Sequence, residues 1–259
     1  AWSPNMTVTS WMGASTWSWT TVQQVFGSLF GKHMAARLQR VIDGLDERTV
    51  TVNGQEFTRW QVLPEIFTNI SYQTSYPDIV AVIIAVDEAL KGDTSVEIAK
   101  PLRALQKRSA QDLSSSLSDR YINCRDLADY PTVNQIARAA YVANANQSVL
   151  AGLTAMVKGA FCAGLPEDFT YGFEPLTEPL TLPTPPVVIN SLGDTRTEYV
   201  FGRTMANFMA GSSLITYDGT QHVTYMSTPS TCVNNAVTRY LLRRTQPGPL
   251  LCPYAPLGR

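Results

Sequence analysis

From Thr21 to Leu45 apolar residues recur at three- and four-residue steps. Val22, Phe26, Leu29, Phe30, Met34, Leu38, Val41 and Ile42 mark one helical stripe, and Gly31 predicts a break in it. Between Thr49 and Phe57 the pattern changes to alternation about Asn53-Gly54, a pair that two-residue hairpin turns favour. From Trp60 to about Leu165 the chain then reads as helix almost throughout. Stretches near 60–69, 78–91, 95–118 and 132–160 are separated by Tyr76-Pro77, Gly92-Asp93 and Tyr130-Pro131. Residues 166–186 are rich in Pro and Thr and read as an extended linker.

The period changes once more after Pro185. Val187, Val188 and Ile189 form a short β-branched run, the mark of a buried strand. Asp194 follows in a turn-rich loop. Phe201, Met205, Phe208 and Met209 then share one helical face, and Gly211 stops that helix. Leu214, Ile215 and Tyr217 make the next strand, Asp218-Gly219 turns the chain, and His222 follows within three residues. Strand, helix, strand predicts a βαβ unit, and the C-terminal ends of its parallel strands are where such sheets carry chemistry. An Asp after one strand and a His after the next can meet there, the acid fixing the imidazole tautomer and steadying its positive charge. The expected separation is ~2.6–3.2 Å between heavy atoms.

With 259 residues the chain allows one large domain or two small ones, and 44% hydrophobic with 16% charged residues describes a core-forming protein. A net charge of −1 gives no electrostatic reason to expect nucleic acid or an anionic membrane as partner. No apolar run approaches the ~20 residues needed to span a bilayer. The four cysteines, Cys124, Cys162, Cys232 and Cys252, allow three disulfide connectivities, and their spacings are not those of a zinc site. Neither a metal nor a cofactor is expected. Asn-x-Ser/Thr triplets begin at Asn5, Asn69 and Asn146. With an even cysteine count they point to a glycosylated protein of an oxidising, extracellular setting. Trp2, Trp11, Trp17 and Trp19 crowd the first twenty residues and read as packing against a partner surface. No signal peptide is visible, so Ala1 reads as a mature end or the start of a fragment.

The stretch Asp194-Thr195-Arg196-Thr197-Glu198-Tyr199 resembles the D-P-x-T-P-Y acid loop of secreted α/β-hydrolases of the tripeptidyl-aminopeptidase type. Tyr217-Asp218-Gly219-Thr220-Gln221-His222 resembles that family's D-G-x-G-H histidine loop. Cys232 to Val237, Tyr240-Leu241, Pro247 and Cys252 are similar to its closing helix, proline-rich tail and final cysteine. Tyr121 to Pro131 and Phe161 to Pro166 resemble the motifs that open and close its helical cap. Thr195 and Glu198 stand where the family has prolines, and Gln221 where it has glycine. The resemblance implies an α/β-hydrolase fold: an N-terminal segment and large helical cap over residues 1–165, a linker over 166–184, and the C-terminal part of the parallel sheet over 185–259. It implies Asp194 and His222 as the catalytic acid and base. It also implies disulfides Cys124–Cys162, bracketing cap helices, and Cys232–Cys252, bracketing the last helix and its tail.

Such an enzyme needs a serine on a G-x-S-x-G strand-to-helix elbow, and the chain contains no such pentapeptide. The nearest approach is Met12-Gly13-Ala14-Ser15-Thr16-Trp17, where Trp17 fills the place of the second glycine. A tryptophan there obstructs the close approach of helix and strand, which argues against Ser15. In the family the elbow and the first strands precede the cap, so this chain is expected to hold the cap and the last two core strands. The nucleophile would then come from outside it, with the N-terminal half of the hydrolase as a partner chain. The implied activity is release of short peptides from free N-termini. An esterase or amidase on the same scaffold, and a non-catalytic binding protein with a relic Asp–His dyad, are the other readings.

Overall fold

The computed structural model describes residues 19–113, 124, 132–145, 178–194 and 196–256. They fall into two compact units, one drawn from Ile70–Tyr76 and Leu176–Arg259, the other from Trp2–Asn69 and Pro77–Pro175.

Among its described residues the second unit is helical apart from one hairpin. Helices α1 (Trp19–Phe30) and α2 (Lys32–Glu47) meet at Gly31, whose φ of 84° only glycine adopts freely. Strands β1 (Val50–Val52) and β2 (Gln55–Phe57) pair antiparallel, with Asn53 and Gly54 both at positive φ as a tight primed turn demands. Val50, Val52 and Phe57 point into the core and the intervening residues stay exposed. Helices α3 (Arg59–Asn69), α4 (Tyr76–Leu90), α5 (Ala99–Leu113) and α6 (Val133–Ala145) follow. Leu38, Val41, Leu63, Ile66, Ile83 and Leu105 are fully buried, and Phe26 meets Phe67 edge-on. Buried Asp87 takes a two-pronged bond from Arg40 (2.7 and 2.8 Å) and a further one from Lys91 (2.9 Å). Burial works against its charge, but these cations hold the carboxyl below the usual range. His33 is exposed.

Asn69 corrects one expectation. Its side chain is buried and donates towards the carbonyls of Glu65 and Leu105 and the hydroxyl of Ser109. An amide so enclosed cannot carry a glycan in the folded protein. Asn5, Asn146, Ser15 and Cys162 lie outside the described residues. Cys124 is buried and disulfide-bonded. No helix among the described residues is long and apolar enough to cross a membrane.

The other unit is a parallel sheet in the order β3 (Val187–Ser191), β4 (Ser213–Tyr217), β5 (Leu250–Cys252). Helix α7 (Tyr199–Phe208) joins β3 to β4 and α8 (Thr231–Arg243) joins β4 to β5, which makes two βαβ units in succession. The sequence predicted two strands; β5 is the third, short and set between Pro249 and Pro253. Ile215, Tyr217, Val233, Val237 and Cys252 form the core. Cys232–Cys252 ties α8 to β5, and closing that separation of 20 residues removes unfolded-chain entropy worth about 3 kcal/mol. Val187, Val188 and Ile189 are only half-buried. Among the described residues β3 pairs with β4 alone, so the expected buried strand is an edge here.

Candidate active site

Two loops leave neighbouring parallel strands and are laced together before either reaches its functional residue. Beyond β3, the N–H groups of Leu192 and Gly193 donate to the carbonyls of Tyr217 (2.9 Å) and Gly219 (2.8 Å). The Ser191 hydroxyl donates to the Gln221 carbonyl at 2.6 Å. Asp194 then folds its own loop around its carboxylate. Oδ1 accepts from the backbone N–H of Arg196 (2.8 Å) and Thr197 (3.0 Å), and Oδ2 accepts from the Thr197 hydroxyl (2.9 Å). This is the turn-building habit of Asp, and here it aims the carboxylate.

His222 Nδ1 lies 3.1 Å from Asp194 Oδ2 and 3.3 Å from Oδ1. The Asp194 side chain is 3% exposed and that of His222 23%. A carboxylate only accepts, so Nδ1 carries the hydrogen and Nε2 keeps its lone pair. Among the described residues Nε2 has no hydrogen-bond partner. The pair thus offers a proton acceptor at Nε2, backed by a buried negative charge that stabilises the imidazolium once formed.

A segment far away in the chain holds both loops. Ile70–Tyr76, which runs from the end of α3 to the first residue of α4, belongs to the same compact unit as both loops. The N–H of His222 donates to the Ser71 carbonyl at 2.9 Å. Gln221 accepts from the Gln73 N–H through Oε1 (3.0 Å) and donates to the His222 carbonyl through Nε2 (2.8 Å). Thr220 donates to the Ile70 carbonyl (3.0 Å) and is hydrogen-bonded to the Tyr76 hydroxyl. Gln73 also donates to the Tyr217 hydroxyl at 2.8 Å. On the acid loop, the Arg196 guanidinium stands 5.2 Å above the Tyr72 ring. The segment braces the histidine loop at three consecutive residues and touches the acid loop as well.

Residues 147–250 match the model of the family described as TAP-like protein. This region is TAP-like, of the α/β-hydrolase type. The matched stretch contains both Asp194 and His222 and ends at the start of β5. No curated protein matches the chain. Within the TAP-like region the structure brings Asp194 and His222 together at the predicted place, the C-terminal edge of β3 and β4. Sequence reasoning did not single out Thr197, which touches both, although it stands in the acid-loop motif. It gave no hint of Ser71, whose contribution is a main-chain carbonyl.

Proposed function

We propose that this chain is the cap and C-terminal half of a secreted serine hydrolase that releases short peptides from free N-termini. The observation that carries the reading is the Asp194–His222 pair, held at the C-terminal ends of adjacent parallel strands in a TAP-like region. In the reaction Nε2 of His222 takes the proton of a serine hydroxyl as that oxygen attacks the carbonyl carbon. It then returns the proton to the leaving amine. Asp194 keeps Nδ1 protonated and offsets the charge of the imidazolium. The serine and the oxyanion hole are supplied from outside the described residues, by the N-terminal half of the hydrolase. The Cys232–Cys252 disulfide supports an oxidising compartment.

A fluorophosphonate probe tests this. The chain alone should not label. Co-expressed with a segment bearing a G-x-S-x-G elbow, it should support labelling of that segment's serine, and His222→Ala should abolish the labelling. Labelling of the chain alone at Ser15 would place the nucleophile here instead. Labelling that survives His222→Ala, or none in the assembled protein, would sink the dyad as catalytic machinery.

A further inference from the structure

We infer that Thr197 is a positioning residue of the dyad, fixing both the orientation and the tautomer of His222; its bearing on catalysis rests on the hydrolase reading above. The Thr197 hydroxyl is 2.9 Å from Asp194 Oδ2 and 3.4 Å from His222 Nδ1. It has one hydrogen, and that hydrogen goes to the carboxylate, which can only accept. Its lone pairs then face Nδ1. The Nδ1–H group therefore points into a cluster of acceptors, two from Asp194 and one from Thr197.

A ring flipped by 180° would present a C–H group to all three oxygens, and the Nε2–H tautomer would present a lone pair to them. Both alternatives are disfavoured by the same hydroxyl that anchors the acid. Thr197 is itself held. Its N–H donates to Asp194 Oδ1 (3.0 Å) and its carbonyl accepts from the buried Asn190 amide on β3 (3.0 Å). Asn190 in turn abuts Gly202 of α7, where an added Cβ would lie 2.8 Å from Asn190 Cβ. Strand and helix thus fix Thr197 from behind.

The chain has two histidines, so the ring nitrogens of His222 can be assigned by ¹⁵N NMR with His33→Gln as reference. In the wild type Nδ1 should show the signature of a protonated nitrogen and Nε2 that of a lone pair. Thr197→Val keeps shape and backbone N–H but loses the hydroxyl. It should raise the Nε2–H fraction about fivefold, the equilibrium factor of one ordinary net hydrogen bond. Thr197→Ser should restore the wild-type ratio, and Thr197→Ala serves if the valine variant fails to fold. An unchanged tautomer ratio in Thr197→Val or Thr197→Ala overturns the inference. In the assembled hydrolase Thr197→Val should lower kcat with little change in KM, and Thr197→Ser should recover it. The NMR shift without any activity in the wild type would retain Thr197 as a positioning residue and reject the hydrolase reading alone.

Discussion

The N–H of Gly193 donates to the carbonyl of Gly219 at 2.8 Å, so the acid loop and the histidine loop touch main chain to main chain. A Cβ on Gly193 would stand 2.8 Å from Thr220 Cγ2 and 3.3 Å from the Gly219 oxygen. Thr220 has no room to yield, since Ile70 and Tyr76 hold its hydroxyl. Gly193→Ala should therefore push the loops apart and lengthen the Asp194–His222 contact. The expected cost is about 1–3 kcal/mol, as for other overpacked sites. A denaturant midpoint equal to wild type would refute the close approach.

Gln221 stands where the resemblance has a glycine, and here the glutamine is a clamp. Its Oε1 is the acceptor for the buried N–H of Gln73. Gln221→Gly would orphan that donor, at about 1–3 kcal/mol. Hydrogen exchange at the Gln73 amide should accelerate, and the His222 loop should loosen with it. Protection of that amide at the wild-type level would show that the clamp is dispensable.

What the chain reveals by itself follows from how each feature is encoded. The βαβ unit was legible because Val187 to Ile189, the face from Phe201 to Met209 and Leu214 to Tyr217 write their periods locally. The hairpin was legible because Asn53-Gly54 states its backbone geometry. Strand β5 was not, because three residues between prolines are too few to show a period. The brace at Ile70–Tyr76 was illegible for a different reason. Ser71 and Ile70 act through carbonyl oxygens, which every residue has, on partners some 150 positions away. Asn69 misled because a sequon is a local pattern, whereas burial is decided by the packing of α3 and α5.

Glu198 precedes α7 with φ −54° and ψ 142°, and its side chain makes no capping bond. Its N–H has no partner among the described residues. That φ suits proline, so Glu198→Pro should stabilise the chain by about 0.4–1 kcal/mol through the unfolded state. The lost carboxyl adds a pH signature. Burial pushes the Glu198 carboxyl above its ordinary value of 4.5. An acid raised in the folded state binds its proton more tightly there, so its penalty is full above the folded value and vanishes below about 4.5. The advantage of Glu198→Pro should shrink as pH falls through that window. Thermal melts at neutral and acid pH would show it, and a gap that widens on acidification would contradict the sign.

Val223 directly follows His222 and sits at φ 58°, a left-handed conformation that β-branched residues avoid. The residue is 63% exposed, so packing does not repay the strain. The strain persists because the chain on both sides is fixed: His222 N–H on Ser71, and the Thr224 hydroxyl beside Ser191 at 3.1 Å. Val223→Gly should remove roughly 1–2 kcal/mol of left-handed strain and add about 0.5–1 kcal/mol of chain entropy cost, for a net gain of up to about 1.5 kcal/mol. Val223→Thr keeps the branch at Cβ and should leave stability unchanged. Calorimetric melts of the two variants separate the explanations. If threonine stabilises as much as glycine, the gain comes from removing an exposed apolar side chain and backbone strain next to His222 is excluded as its source.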